Sequence, residues 1–275
     1  MSVKKILLKA KKQVFGEMLG NNSSLFQGEG FEFTELREYV YGDDVRKIDW
    51  KTTAKLGKPF VKIYHEEREL NVVTAVMMGG SSYFGTTRQK SKVMSELVAL
   101  LGFSAVKNGD KFSTVIFADK LYSMPKAHKK FFAVQEAVTQ VENFDMLGKE
   151  SNYQAFTETL YRRIKRKSLL FIIADFVGNI NLALLSKKHE VVVIIVRDRF
   201  EEHPSELGYI RLMDMESTKS FEGNVGKEER KEYQEALEEN DKKLYAHLKK
   251  NALRQVKIYT NDEVYLKLRK LLGAV

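Results

Sequence analysis

The sequence predicts an α/β protein: a mostly parallel sheet with helices on both faces, preceded by an N-terminal helix and a β extension. Three observations carry this. From Asn71 onward short, almost uninterrupted apolar runs recur, as in Val191-Val192-Val193-Ile194-Ile195-Val196; strands apolar on both sides belong to sheets covered on both faces. Between them lie longer segments with apolar residues at helical spacing, and that alternation is the pattern of a parallel sheet. A length of 275 residues suits one large domain with an extension better than two full domains.

In chain order, Lys4 to Leu19 reads as an amphipathic helix with Ile6, Leu7, Ala10, Val14 and Met18 as its stripe and Gly20-Asn21-Asn22 as its stop. Packing on its own domain is the expected role; a membrane-surface role is the alternative for a basic helix. Asn21 to Gly30 is a polar linker, and Lys58 to His65 alternates like a strand with one exposed face. Buried strands are predicted at Val72–Met77, Phe112–Phe117, Leu169–Ala174, Val191–Val196 and Val256–Tyr259. Helices are predicted at Lys90–Lys107, Lys129–Asn143, Tyr153–Arg166, Leu182–Lys187, Lys227–Leu253 and Asp262–Leu272. Between Asp198 and Gly223 the pattern breaks, and the alternation of Tyr209 to Asp214 predicts a β-hairpin insertion there. The expected division is residues 1–70, helix and extension packing on the core, and residues 71–275, the α/β domain. Ligands of such sheets bind beyond the carboxyl ends of the strands, which points to the loops after Met77 and Ala174.

Composition bounds function. Hydrophobic residues make up 43% and charged residues 30%, as in globular proteins. There is no cysteine, which excludes disulfides and thiolate chemistry. Apolar runs fall far short of the ~18 residues that a membrane span needs, and the N-terminus has no apolar signal region; a cytoplasmic protein is expected. The net charge of +9 gathers at Lys4–Lys12, Lys126–Lys130 and Arg162–Lys167. These clusters lack interleaved aromatics, so solvated helix faces explain them more cheaply than nucleic-acid binding does.

The densest motif is Gly28 to Glu69. Its centre, Gly42-Asp43-Asp44-Val45-Arg46-Lys47-Ile48-Asp49-Trp50, contains the only tryptophan. Gly42 and the aspartates predict a turn capping a short helix, with Asp43 or Asp44 accepting from backbone N–H groups. Arg46 and Asp49, three apart, are expected to pair, with Trp50 as a buried apolar anchor. That reading makes the segment chiefly architectural, a docking surface being the alternative. Gly30, Glu32, Phe33, Leu36, Arg37, Tyr39, Gly42, Asp43, Asp44, Arg46, Ile48, Asp49, Trp50, Ala54 and Val61 together resemble the signature of the bacterial domain-of-unknown-function family 58. The resemblance runs from about Gly28 to the C-terminal helix. It implies a von Willebrand factor A-like, Rossmann-like domain after the signature and a MoxR-type AAA+ ATPase as partner.

The resemblance further implies a metal-ion-dependent adhesion site of pattern D-x-S-x-S, a threonine and a distant aspartate. Aligned through Ser81-Ser82-Tyr83-Phe84-Gly85, the first loop falls on Met77, Gly79 and Ser81, the second near Ser151 and the third on Asp175. Methionine is a soft, weak donor that a hard cation declines in favour of water. A metal-free, degenerate site is therefore expected, with no cofactor. A weak Mg²⁺ or Ca²⁺ site completed by waters or a neighbouring acid, and a site for another small ligand, are the alternatives. Ser151 equally suits a helix N-cap.

Enzymatic signals are thin. Gly79-Gly80-Ser81-Ser82 lacks the lysine and spacing of a phosphate-binding loop, and Gly-x-Ser-x-Gly is absent. His65, His128, His189, His203 and His247 show no metal-ligand spacing. The sequence thus predicts a non-enzymatic interaction or assembly factor working with a MoxR-type ATPase. A hydrolase or nucleotide-handling enzyme using the loops around Gly79 and Asp175 is the chief alternative, and a non-specific nucleic-acid binder the next.

Overall fold

The computed structural model describes residues 2–16, 35–63, 69–206 and 208–272. The chain divides into two compact units, one of residues 1–26 and 70–275, the other of residues 27–69. Helix α1 (Val3–Gly16) belongs to the first, because its stripe of Ile6, Ala10 and Val14 is buried in that unit's core. Residues 17–19 of the predicted helix, the predicted linker and the motif positions Gly30, Glu32 and Phe33 lie outside the described residues, as does His65.

The smaller unit pairs β1 (Glu35–Glu38) antiparallel with β2 (Phe60–Ile63) around helix α2 (Trp50–Leu56). Of the predicted strand at 58–65, Phe60–Ile63 form β2 and residues 64 and 65 lie outside the described residues; Pro59 has no N–H to give the ladder.

The larger unit is built on β3 (Asn71–Met77), β4 (Lys111–Phe117), β5 (Leu121–Ser123), β6 (Leu169–Ala174), β7 (Glu190–Arg197) and β10 (Arg254–Tyr259). Their order is β10-β7-β6-β3-β4-β5, all parallel except the edge strand β5, which hairpins back on β4. Each strand that the apolar runs predict is present. Alternate residues of β3 face opposite ways, as the pleat dictates. Val72 and Val76 join one core layer, and Val73, Ala75 and Met77 the other. Covering the first layer are α1, α3 (Lys90–Lys107), α4 (Phe131–Glu142) and α9 (Val264–Leu271). Across the sheet lie α5 (Tyr153–Arg163), α6 (Ala183–Lys188) and α8 (Lys227–Lys250). The insertion consists of a short helix α7 (Arg199–Glu202) and the hairpin β8 (Gly208–Met213) and β9 (Ser220–Val225).

Candidate functional site

The first strand laid into the sheet, β3, has β4 on one side and β6 on the other. Chain direction across the sheet reverses there, which opens a crevice beyond the carboxyl ends of β3 and β6. Ser81 follows β3 and Asp175 follows β6, and they meet in that crevice, the Ser81 hydroxyl donating to Asp175 Oδ2 at 2.7 Å. Tyr153, at the start of α5, donates to Asp175 Oδ1 at 2.8 Å. The turn after Asp175 is tight: Phe176 adopts φ 55°, uncommon for a bulky residue, and stacks on Tyr153.

A cation already stands at this carboxylate. Lys90 opens α3, is completely buried, and donates from Nζ to Asp175 Oδ2 at 3.0 Å and to Glu201 Oε1 at 2.6 Å. Burial alone would raise the Asp175 carboxyl. The Lys90 charge, then hydrogen bonds from Ser81, Lys90 and Tyr153, outweigh it and hold the group well below the usual carboxylate range. Burial likewise opposes charge on Lys90, but the charges of Asp175 and Glu201 and their hydrogen bonds raise its pKa above the ordinary lysine value. Burial, with Asp175 beside it, pushes the Tyr153 phenol up, so it remains a donor. Ammonium and carboxylate therefore stay charged across the ordinary pH range.

The remaining adhesion-site positions do not converge on that point. Met77 is buried in the layer that contains Phe117, Phe156 and Phe176. Ser151 is not the cap of α5; Asn152 is, accepting from Ala155 N at 3.0 Å. The Ser151 hydroxyl instead donates to Glu216 Oε1 at 3.0 Å. Glu216 sits in the turn between β8 and β9, so the hairpin folds back over the crevice. The Gly148 N–H donates to the Met215 carbonyl at 2.9 Å. Beneath the turn there is no space for side chains. A Cβ on Gly80 would lie 2.3 Å from the Met215 carbonyl oxygen, and one on Gly79 2.0 Å from Ser151 Oγ. One carboxylate neutralised by an internal ammonium, with the Ser81 hydroxyl donating to it and the Ser151 hydroxyl donating to Glu216, is a poor donor set for a divalent cation, which needs several charged oxygens.

Charge pairing continues along the strand ends. Buried Arg197 donates from Nε to the Asp175 carbonyl at 2.6 Å and pairs with Asp241 of α8 at 2.8 Å. Lys257 joins Asp241 at 3.0 Å and Glu202 at 2.6 Å. Asp198 accepts from Thr86 N at 2.8 Å and caps α7.

In the smaller unit nearly every charged signature residue serves the local backbone. Gly42 turns the chain at φ 104°. Both carboxylate oxygens of Asp43 accept from Arg37 Nη2, at 2.8 and 2.9 Å, and Oδ2 also accepts from Val40 N. Asp44 accepts from Arg46 N and pairs with its guanidinium at 3.0 Å. Asp49 caps α2 through Lys51 N and Thr52 N. The expected Arg46–Asp49 pair is thus corrected: Asp49 is claimed by the helix N-terminus, which leaves Arg46 to Asp44. The Tyr39 N–H donates to the Pro59 carbonyl, tying β1 to the start of β2. Trp50 is corrected too. It is 68% exposed rather than buried, because it occupies the first position of a seven-residue helix that has no buried residue.

Lys90, Tyr153, Glu201 and Glu216 belong to no motif that the sequence displays. One signal was present for Lys90. All of α3 but Lys92 and Lys107 is buried, and a lysine at the head of an apolar helix opposes the helix dipole. Such a lysine requires a carboxylate.

A family model described as "Protein of unknown function DUF58" matches residues 35–243. Uncharacterized proteins of Mycobacterium bovis and Mycobacterium tuberculosis are 28% identical over 220 residues, covering 76% of this chain and 68% of theirs. Among solved structures, the conserved hypothetical protein BatB from Bacteroides thetaiotaomicron is similar at a TM-score of 0.44 and 10% identity, over 74% of this chain and 98% of that one. An aerotolerance-related membrane protein from Bacteroides fragilis is similar at 0.45 and 10%, over 75% and 100%. Among the described residues no helix is long and apolar enough to cross a membrane. With its signature turn and the matched span covering most of the α/β unit, the chain belongs to the family described as protein of unknown function DUF58.

Proposed function

We propose that the chain is a non-enzymatic interaction or assembly factor with a von Willebrand A-like domain, acting in the cytoplasm with a MoxR-type AAA+ ATPase. The observation that carries this reading is the buried Lys90 ammonium on Asp175. It supplies the positive charge that a divalent cation would bring, so the crevice is a fixed, metal-free structure. It also argues against catalysis there: a carboxylate held far below its usual pKa is a weak general base, and Ser81 has no other base within reach among the contacts described. The exposed Trp50 shifts the signature segment from core anchor to docking surface, since an aromatic free of packing duties is the kind of residue that dominates interfaces.

The test is size-exclusion of the purified chain with a MoxR-type ATPase, together with melting in millimolar Mg²⁺, Ca²⁺ or Mn²⁺. Co-elution that Trp50→Ala abolishes without lowering stability, and no metal-dependent shift, are expected. A metal bound at ten times its Kd would add about 1.4 kcal/mol, which a melt detects. Turnover of phosphoesters, acyl esters or nucleotides that Ser81→Ala abolishes would overturn the reading.

A further inference from the structure

Helices of a parallel sheet run against its strands, so their C-terminal ends gather where the strands begin. Here α5 leads into β6, α6 into β7 and α8 into β10. That end of the molecule, opposite the crevice, carries one concentration of positive charge. Arg162 and Arg163 close α5, Lys187 and Lys188 close α6, and Lys249 and Lys250 close α8. Cations in a last helical turn complement the helix dipole, and this alone accounts for those six.

It does not account for Lys165, Arg166 and Lys167. They stand beyond the end of α5, all exposed, and no ion pair of theirs occurs among the described residues. Nor is their segment a loose loop. Ile164 and Ser168 on either side are buried. The Ser168 hydroxyl accepts from Asn71 Nδ2 at 2.8 Å and donates to the Arg166 carbonyl at 2.9 Å, and its own carbonyl accepts from Glu190 N at 3.0 Å. Three consecutive cations are thus held out from the surface by a pinned backbone, beside the four that end α5 and α6. Against them stand few acids: Glu158 pairs with Arg162 at 3.7 Å, and Glu190 with Arg254.

We infer that this basic end face, centred on Lys165, Arg166, Lys167, Lys187 and Lys188, docks reversibly on a membrane surface of anionic phospholipid. Charge complementarity sets the partner's sign. The form of the face selects a lipid surface over a nucleic acid. Its cations sit on helix ends and the loop between them, and the nearby aromatic, Tyr161, has the Lys188 ammonium 4.7 Å from its ring centre. That ring is 41% exposed, but the Lys188 ammonium occupies one of its faces, and one ring does not make the series of stacking platforms that single-strand binding uses. Basic residues at an anionic bilayer contribute about fivefold each to partitioning, with no need for an inserted apolar segment. The association so produced is weakened by salt.

The experiment is co-sedimentation of the full chain with vesicles of phosphatidylcholine alone and of phosphatidylcholine mixed with phosphatidylglycerol. The parent is expected to pellet with the anionic vesicles only, less so as salt rises. The variant Lys165→Ala/Arg166→Ala/Lys167→Ala should bind them about a hundredfold more weakly while melting like the parent. A control of equal net charge, Lys4→Ala/Lys5→Ala/Lys227→Ala, removes exposed cations elsewhere and should stay within a few-fold of the parent. Absence of binding to anionic vesicles, or equal losses in both variants, overturns the proposal. So does a single-stranded oligonucleotide that binds more tightly than the vesicles and displaces the chain from them.

Discussion

The two charged regions of this protein are built on opposite plans. In the signature turn, partners are close in sequence: Arg37 reaches Asp43 six positions on, and Asp44 reaches Arg46 two positions on. Around Asp175 the partners come from far apart, Ser81 at a separation of 94, Lys90 at 85 and, through Lys90, Glu201 at 111. Locally paired charges lie near water and shape one turn. Distantly paired charges are buried, and each depends on the whole sheet to bring it its partner. A fixed string of residues therefore records the first plan and not the second.

The largest expected effect sharpens that contrast. Lys90→Met leaves Asp175 buried and uncompensated, and should cost about 3–5 kcal/mol in urea unfolding. Adding Asp175→Asn should recover part of it, because only the less deeply buried Glu201 then lacks its cation. If Lys90→Met unfolds like the parent, the ammonium is not what stabilises the carboxylate.

Next in size is Gly80→Ala. Its Cβ would meet the backbone of the hairpin turn, so about 1–3 kcal/mol is expected from overpacking, read by the same unfolding curves. An unchanged curve would show that the turn between β8 and β9 lifts off the crevice at little cost.

Asp49→Ala tests the signature turn at a smaller scale. Loss of the α2 cap should cost about 1 kcal/mol, with little change in the unfolding of the sheet. Trp50→Ala, at an exposed position, should fall within about 0.5 kcal/mol. A loss of several kcal/mol would mean that the tryptophan is packed after all.

Acid should reach the larger unit through its histidines. Burial, then Lys188, lowers the pKa of His189; burial, then Lys250, lowers that of His247, whose Nε2 accepts from Leu182 N at 2.9 Å. Both are lowered relative to the unfolded value of about 6.5, so below that pH the unfolded chain binds protons that the folded one refuses. Stability should decline as pH falls from about 6.5 toward the depressed values, a slope that His189→Gln and His247→Gln reduce in a pH series of melts. Asp175, whose pKa is likewise lowered, adds its loss in the same direction but only below about pH 4.

Much of the fold was legible because strands such as Leu169–Ala174 carry their burial in unbroken apolar runs, and α3 holds a long apolar stretch from Leu97 to Phe103. The short edge strand β5 was not, since three residues hold no periodicity. Ser81 and Asp175 could be placed together because each follows a recognisable strand. Their true neighbours could not: Lys90 reads as an ordinary helix start, and Glu216 as one acid in a polar turn. Asp43 and Asp44 announced their service to the turn by residue type, whereas Asp49, expected to pair with Arg46, caps α2. Trp50 misled because residue type predicts burial only where the chain offers something to be buried against, and α2 offers nothing.

The long reach of Lys90 also sets an order for synthesis. A ribosome delivers α3 well before either carboxylate that its lysine needs, and β10 comes later still. Until Glu201 has emerged, the nascent chain holds α3 with a charge at its head that has to stay in water. Such partly built α/β chains are the species that aggregate or are held by chaperones. Closure of the α3 head onto the sheet then becomes a late event, and truncations ending before residue 201 should leave the Lys90 end of α3 open.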